Sequence, residues 1–129
     1  MPKVSASIGK VPYSIEIKSP TGNLVTADEP LDKGGKDTGF SPKELLAAAL
    51  SACTSATLRM YMERKGWDVS TIKVETELIE IDNQTIFTRK IELSEKLDEE
   101  KRSRLIQIAN ACPVHKILTR PIEFKTELA

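Results

Sequence analysis

Three side chains in this chain can do chemistry that others cannot: Cys53, Cys112 and His115. Cys112 stands before Pro113, and proline favours the first position of a helix, so Cys112 reads as the N-cap of a short helix starting there. The positive helix end, with His115 and Lys116 nearby, would favour a thiolate. An unperturbed thiol near pKa ~8.5 is about 3% ionised at pH 7, and lowering it to ~6.5 makes it about 75% ionised. The alternative is a Cys112 that only packs under the helix start. Cys53 sits among alanines and serines in the middle of a long helix, where a free cysteine most often behaves as a small buried hydrophobe. Two thiols with no other apparatus suggest thiol redox chemistry: one attacks an electrophilic oxygen or sulfur, and the other resolves the sulfenic acid. That requires the two to meet in space, which spacing alone does not show.

Other chemistries fit less well. Cys53, Cys112 and His115 would give zinc three ligands, whereas a closed structural site needs four, so no metal is expected. His115 is the only histidine, and it reads as a surface or helix-dipole residue. A hydrolase elbow, a phosphate loop and a dinucleotide fingerprint are all absent, so no cofactor is implied. Glu44 completes a capping box with Ser41, which is the favoured reading, and a supporting carboxylate role at the site is the alternative. Arg89 lies on the apolar parity of its strand, where a charge needs a partner. An edge arginine that snorkels to water is the commoner outcome; pairing with Glu44 or placement beside Cys53 is the alternative.

The elements that must position these residues are legible. Ile15 and Ile17 alternate with polar residues and lead through Ser19–Gly22 to Leu24 and Val25, a hairpin. Residues 28–40 read as an exposed loop. Ser41, Pro42 and Glu44 open a helix that runs to about Lys65, and Gly66 closes it. No charge occurs between Glu44 and Arg59, so protein must surround this helix, and a second helix or a second subunit is expected. Strands are expected over 69–81 and 84–93, with a phase change near Leu78 that predicts a bulge or two-sided burial. Helices follow over about 98–110 and from 113, and then a last strand over 122–128. The order describes an α+β fold with mostly antiparallel sheets.

The 129 residues suit one domain, 1–129. Lys plus Arg equal Asp plus Glu at 19 each, which argues against nucleic acid or an anionic membrane as partner. The apolar stretch Leu45–Leu58 is shorter than the ~20 residues of a membrane span. With no signal peptide visible at the N-terminus, the cytoplasm is the expected compartment.

The run Ser41-Pro42-Lys43-Glu44-Leu45-Leu46-Ala47-Ala48-Ala49-Leu50-Ser51-Ala52-Cys53, with Arg59-Met60-Tyr61 and Lys65-Gly66-Trp67 after it, resembles the central helix of the OsmC/Ohr superfamily. Cys112-Pro113-Val114-His115-Lys116-Ile117-Leu118 resembles its second cysteine motif. The resemblance implies an intertwined homodimer whose sheets wrap two central helices. It also implies a thiol peroxidase for organic hydroperoxides, with Cys53 attacking, Cys112 resolving and an external dithiol as reductant. A small-molecule binding protein on the same fold is the alternative. Two features depart from the active peroxidases. No arginine precedes Arg59, and Lys43 stands directly after Pro42 where they carry glutamate, with Glu44 one residue later.

Overall fold

The computed structural model describes residues 1–129 and divides them into two compact units, Met1–Leu46 and Ala47–Ala129. In the first unit, β1 (Ser5–Ile8), β2 (Ile15–Lys18) and β3 (Leu24–Ala27) form an antiparallel sheet in that order. The expected hairpin is β2–β3, with Ile17 opposite Val25. Its turn carries Gly22 at φ 93°, a left-handed conformation that a side chain would strain.

The segment after β3 is more ordered than an exposed loop. Asp28 is 1% exposed, and its carboxylate accepts from the Tyr13, Glu29, Lys36 and Thr38 amides and from the Thr38 hydroxyl at 2.6 Å. Five donors around one carboxylate favour its ionised form. The Thr38 hydroxyl bond is the largest cause, burial opposes it, and the pKa falls to about 2. Because the folded value lies below the unfolded one, this contribution to stability is present above about pH 4 and is lost as pH falls toward 2. We expect the protection of the Lys36 and Thr38 amides against hydrogen exchange, relative to the unfolded chain at the same pH, to fall over that range. Asp28→Asn, which replaces one acceptor oxygen with a donor, should show the same loss of protection at neutral pH.

Helix α1 (Pro42–Lys65) begins as the sequence indicates. Glu44 Oε1 accepts from the Ser41 amide at 2.8 Å, and the Glu44 amide donates to Ser41 Oγ at 3.1 Å. Gly66, at φ 71°, ends it. The helix is long and apolar enough to cross a membrane by length and composition alone, with a mean hydropathy of 1.2 over 18 residues, 28% of them buried within the chain. It is thus longer than the apolar stretch weighed from sequence. Ala49, Ala52, Ala56 and Met60 lie along it exposed.

In the second unit, β4 (Ile72–Ile81) and β5 (Gln84–Leu93) pair antiparallel without interruption, from Ile72 opposite Leu93 to Ile81 opposite Gln84. Asp82 and Asn83 turn the chain at φ 49° and 63°, as a two-residue hairpin loop requires. The phase change at Leu78 is two-sided burial and not a bulge: Leu78 and Ile79 are both half-buried and the register runs on.

Helix α2 (Glu99–Ala109) is capped by Asp98, which accepts from the Lys101 amide. Helix α3 (Pro113–Leu118) is capped by Cys112. The core gathers Leu58, Tyr61 and Met62 of α1 with Val69, Leu105 and Ala109. Burying each large aliphatic side chain here contributes roughly 1.5–3 kcal/mol. Tyr61 and Trp67 meet edge-on at 5.5 Å, so packing accounts for both.

The strand expected over residues 122–128 does not form. Ile122 and Phe124 are 54% and 84% exposed. Alternating apolar residues make a strand only where a sheet edge accepts their backbone groups, and the tail pairs with none in this chain.

Candidate active site

The site lies in the second unit, where α1, β5, the end of α2 and the start of α3 converge. Cys112 is fully buried. Its place as N-cap turns Sγ toward the first turn of α3, where the His115 amide donates to it at 3.4 Å. Thr54 Oγ1 lies 3.7 Å from the same sulfur. Burial alone would push this thiol up. The His115 amide, the Thr54 hydroxyl, the Cys53 thiol and the Arg89 charge outweigh it, in that order, and hold the pKa below the ordinary thiol value. The N-cap reading of Cys112 therefore holds, and the sulfur is more than packing. Cys53 is half-buried, one residue before Thr54 on α1, and both thiols are free. The Cys53 thiol is among the groups that lower the Cys112 pKa, which sets it in the neighbourhood of that sulfur.

Arg89 does not snorkel to water. Strand register sets it opposite Thr76, whose hydroxyl accepts from Ser51 of α1 at 2.6 Å, so this face of the hairpin meets the helix. Nη1 of Arg89 donates to Thr54 Oγ1 at 3.0 Å and to the Ala109 carbonyl at 2.9 Å. Nη2 donates to Asn110 Oδ1 at 2.9 Å and to His115 Nδ1 at 2.6 Å. The two Nη atoms carry four hydrogens, and each has an acceptor. The guanidinium is thus a clamp across four elements and has no free fork for a ligand. It also serves α2, whose last turn has no basic residue of its own and whose terminal carbonyls want a cation. Arg89 reaches the Cys112 sulfur through the Thr54 hydroxyl.

His115 is half-buried and belongs to this cluster, which corrects its reading as a surface residue. A guanidinium can only donate, so Nδ1 must accept and the ring proton sits on Nε2. Burial and then the Arg89 charge lower the imidazole pKa, which keeps the ring neutral.

Glu44 lies in the first unit with its carboxylate on the Ser41 amide, and the guanidinium of Arg89 is filled by other partners. Sequence reasoning missed Thr54 and Asn110. The available signal for Thr54 was a hydroxyl beside Cys53 on an otherwise apolar helix. No three Cys, His, Asp or Glu side chains converge closely enough to ligate a metal.

Comparison with known proteins agrees with this architecture. An uncharacterized Bacillus subtilis protein, YmaD, is 34% identical over 71 residues, or 54% of this chain. The match covers 47% of that relative, so the chain spans about half the length of the curated relative it matches. A Psychrobacter arcticus protein named for osmotic stress induction and detoxification superposes with a TM-score of 0.75 at 22% identity, over 90% of this chain and 85% of that one. The organic hydroperoxide resistance protein OhrB of Bacillus subtilis gives 0.65 at 23%, over 92% and 90%. At such identities the superpositions establish the fold. The family model described as OsmC-like protein matches residues 34–127, nearly three quarters of the sequence. With its fold, its paired cysteines and this match, the chain belongs to the OsmC-like protein family.

Proposed function

We propose that this protein is a two-cysteine thiol peroxidase that reduces organic hydroperoxides. The observation that carries the reading is the dithiol itself. A half-exposed Cys53 adjoins a fully buried Cys112 whose ionised form is stabilised by an amide, a hydroxyl, a thiol and a guanidinium. Cys53 is the sulfur a substrate can reach. Its thiolate attacks the outer oxygen of ROOH. The O–O bond breaks, the released RO− takes a proton from solvent and leaves as ROH, and Cys53 becomes a sulfenic acid. Cys112 then displaces the hydroxyl as water, which closes a Cys53–Cys112 disulfide. An external dithiol reduces that bond and completes the cycle. No metal or organic cofactor enters. Arg89 and His115 shape the charge around the pair without touching substrate, and Glu44 supports the start of the helix that carries Cys53.

The working unit in this proposal is a homodimer. The exposed stripe Ala49, Ala52, Ala56 and Met60 on a helix without charge between Glu44 and Arg59 supports it, because an apolar face of that length is ordinarily covered by protein. Small apolar side chains around Cys53 favour alkyl over inorganic peroxide. Membranes and nucleic acid have no part in the reading, and a cytoplasmic site of action goes with it.

A short pulse of cumene hydroperoxide on the reduced protein, followed by alkylation and mass spectrometry, tests the function. The expected product is about two mass units lighter, mapped to Cys53–Cys112 and formed much faster than with hydrogen peroxide. If both thiols remain alkylatable after minutes, the fold serves binding and not peroxide reduction.

A further inference from the structure

Thr54 is fully buried, and its hydroxyl has more neighbours than it has protons. Oγ1 accepts from Arg89 Nη1 at 3.0 Å, donates to the Leu50 carbonyl at 2.7 Å and stands 3.7 Å from Cys112 Sγ. A hydroxyl has one hydrogen and two lone pairs. With that hydrogen on Leu50, only a protonated Cys112 can share the remaining contact, as donor to Oγ1. An ionised Cys112 has no hydrogen to give and must receive one. The Leu50 carbonyl, four residues back on α1, is the only other place the hydroxyl donates.

We propose that Thr54 is a positioning residue of the dithiol: its hydroxyl, held by Arg89, turns its proton from the Leu50 carbonyl to the Cys112 sulfur when that sulfur ionises. The first negative charge of the reduced pair therefore rests on the buried cysteine and not on the half-exposed one. Three features of the geometry support this polarity. Cys112 has the His115 amide aimed at it, whereas no hydrogen bond of this kind reaches Cys53. Arg89 saturates its Nη hydrogens on neutral acceptors, so its charge is left uncompensated by any carboxylate. A hydroxyl that accepts from a guanidinium is also polarised toward donating. The titratable and charged groups around the sulfur are Cys53 from α1, Arg89 from β5 and His115 from α3. His115 is held neutral there.

The consequence for chemistry rests on the peroxidase reading. Before attack, Cys53 passes its proton to Cys112, giving a Cys53 thiolate and a Cys112 thiol. After the sulfenic acid forms, the same proton leaves with the departing water as Cys112 bonds to Cys53. The buried cysteine is then base first and nucleophile second.

Titration of thiolate ultraviolet absorbance tests the charge placement without peroxide. In Cys53→Ser protein only Cys112 remains, and in Cys112→Ser only Cys53. The first should ionise at the lower pH. Adding Thr54→Val to Cys53→Ser should raise its midpoint by about one pH unit, and Thr54→Ser should leave it close to the parent, since one hydrogen bond to a thiolate commonly shifts its pKa by about that amount. Equal midpoints in the two single variants, or a midpoint indifferent to Thr54→Val, would overturn the proposal. The comparison of the two single variants keeps it testable if valine at 54 does not fold. A shifted midpoint in protein that ignores cumene hydroperoxide would leave the Thr54 role standing and remove the peroxidase.

Discussion

Replacing Arg89 with lysine is expected to cut hydroperoxide consumption about a hundredfold, which corresponds to roughly 2.7 kcal/mol of lost transition-state stabilisation. It should also lower stability by about 3–6 kcal/mol, the worth of two charge-assisted hydrogen bonds. Lysine keeps the charge but loses the fork. One ammonium cannot reach Thr54, the Ala109 carbonyl, Asn110 and His115 from a single atom, whereas the guanidinium meets all four between 2.6 and 3.0 Å. The groups left behind are those that shape the dithiol. Thr54 loses the donor that polarises it, and the His115 ring is freed to change tautomer. Thiol titration of the variant should show Cys112 ionising at higher pH, since an opposite charge and a supporting hydroxyl both favour the thiolate. Steady-state peroxide kinetics and urea unfolding measure the two effects separately. Activity within threefold of the parent would mean that charge alone suffices and that the clamp geometry is incidental.

The cysteine variants should separate into two phenotypes. Cys53→Ser should abolish hydroperoxide reduction outright, because the remaining thiol is fully buried. Cys112→Ser should keep one turnover: Cys53 is oxidised, no disulfide partner exists, and a sulfenic acid accumulates that a dimedone-type reagent captures. Its multiple-turnover rate with a dithiol reductant should fall at least tenfold, as the reductant must then resolve the sulfenic acid itself. Single-turnover mass spectrometry reads both. The reverse pattern, with Cys112→Ser silent and Cys53→Ser still oxidised, would assign attack to the buried sulfur and require an opening motion to admit substrate.

Much of this molecule could be read along the chain because the signals are local. The Ser41–Glu44 capping box, the Gly66 stop, the Asp82-Asn83 turn and the Cys112-Pro113 start each depend on residues within a few positions of one another. All appear where those residues stand. The same locality made Cys112 readable as a favoured thiolate, since the amide that stabilises it is only three residues away.

What escaped the sequence was long-range. Arg89 looked like an edge cation because nothing near it in the chain answers its charge; its partners lie twenty to thirty-five residues away. The buried Asp28 cage was hidden because it is built mostly from backbone amides, which every residue carries. The tail alternates like a strand but pairs with no sheet edge here. Sequence by itself determined the helices, turns and caps, the two thiols and the α+β order, because propensity, capping and turn chemistry act over one or two turns of backbone. Only the tertiary structure decided that Thr54, Arg89, Asn110 and His115 surround Cys112, because a buried charge is satisfied by whatever acceptors the fold brings within 3 Å of it.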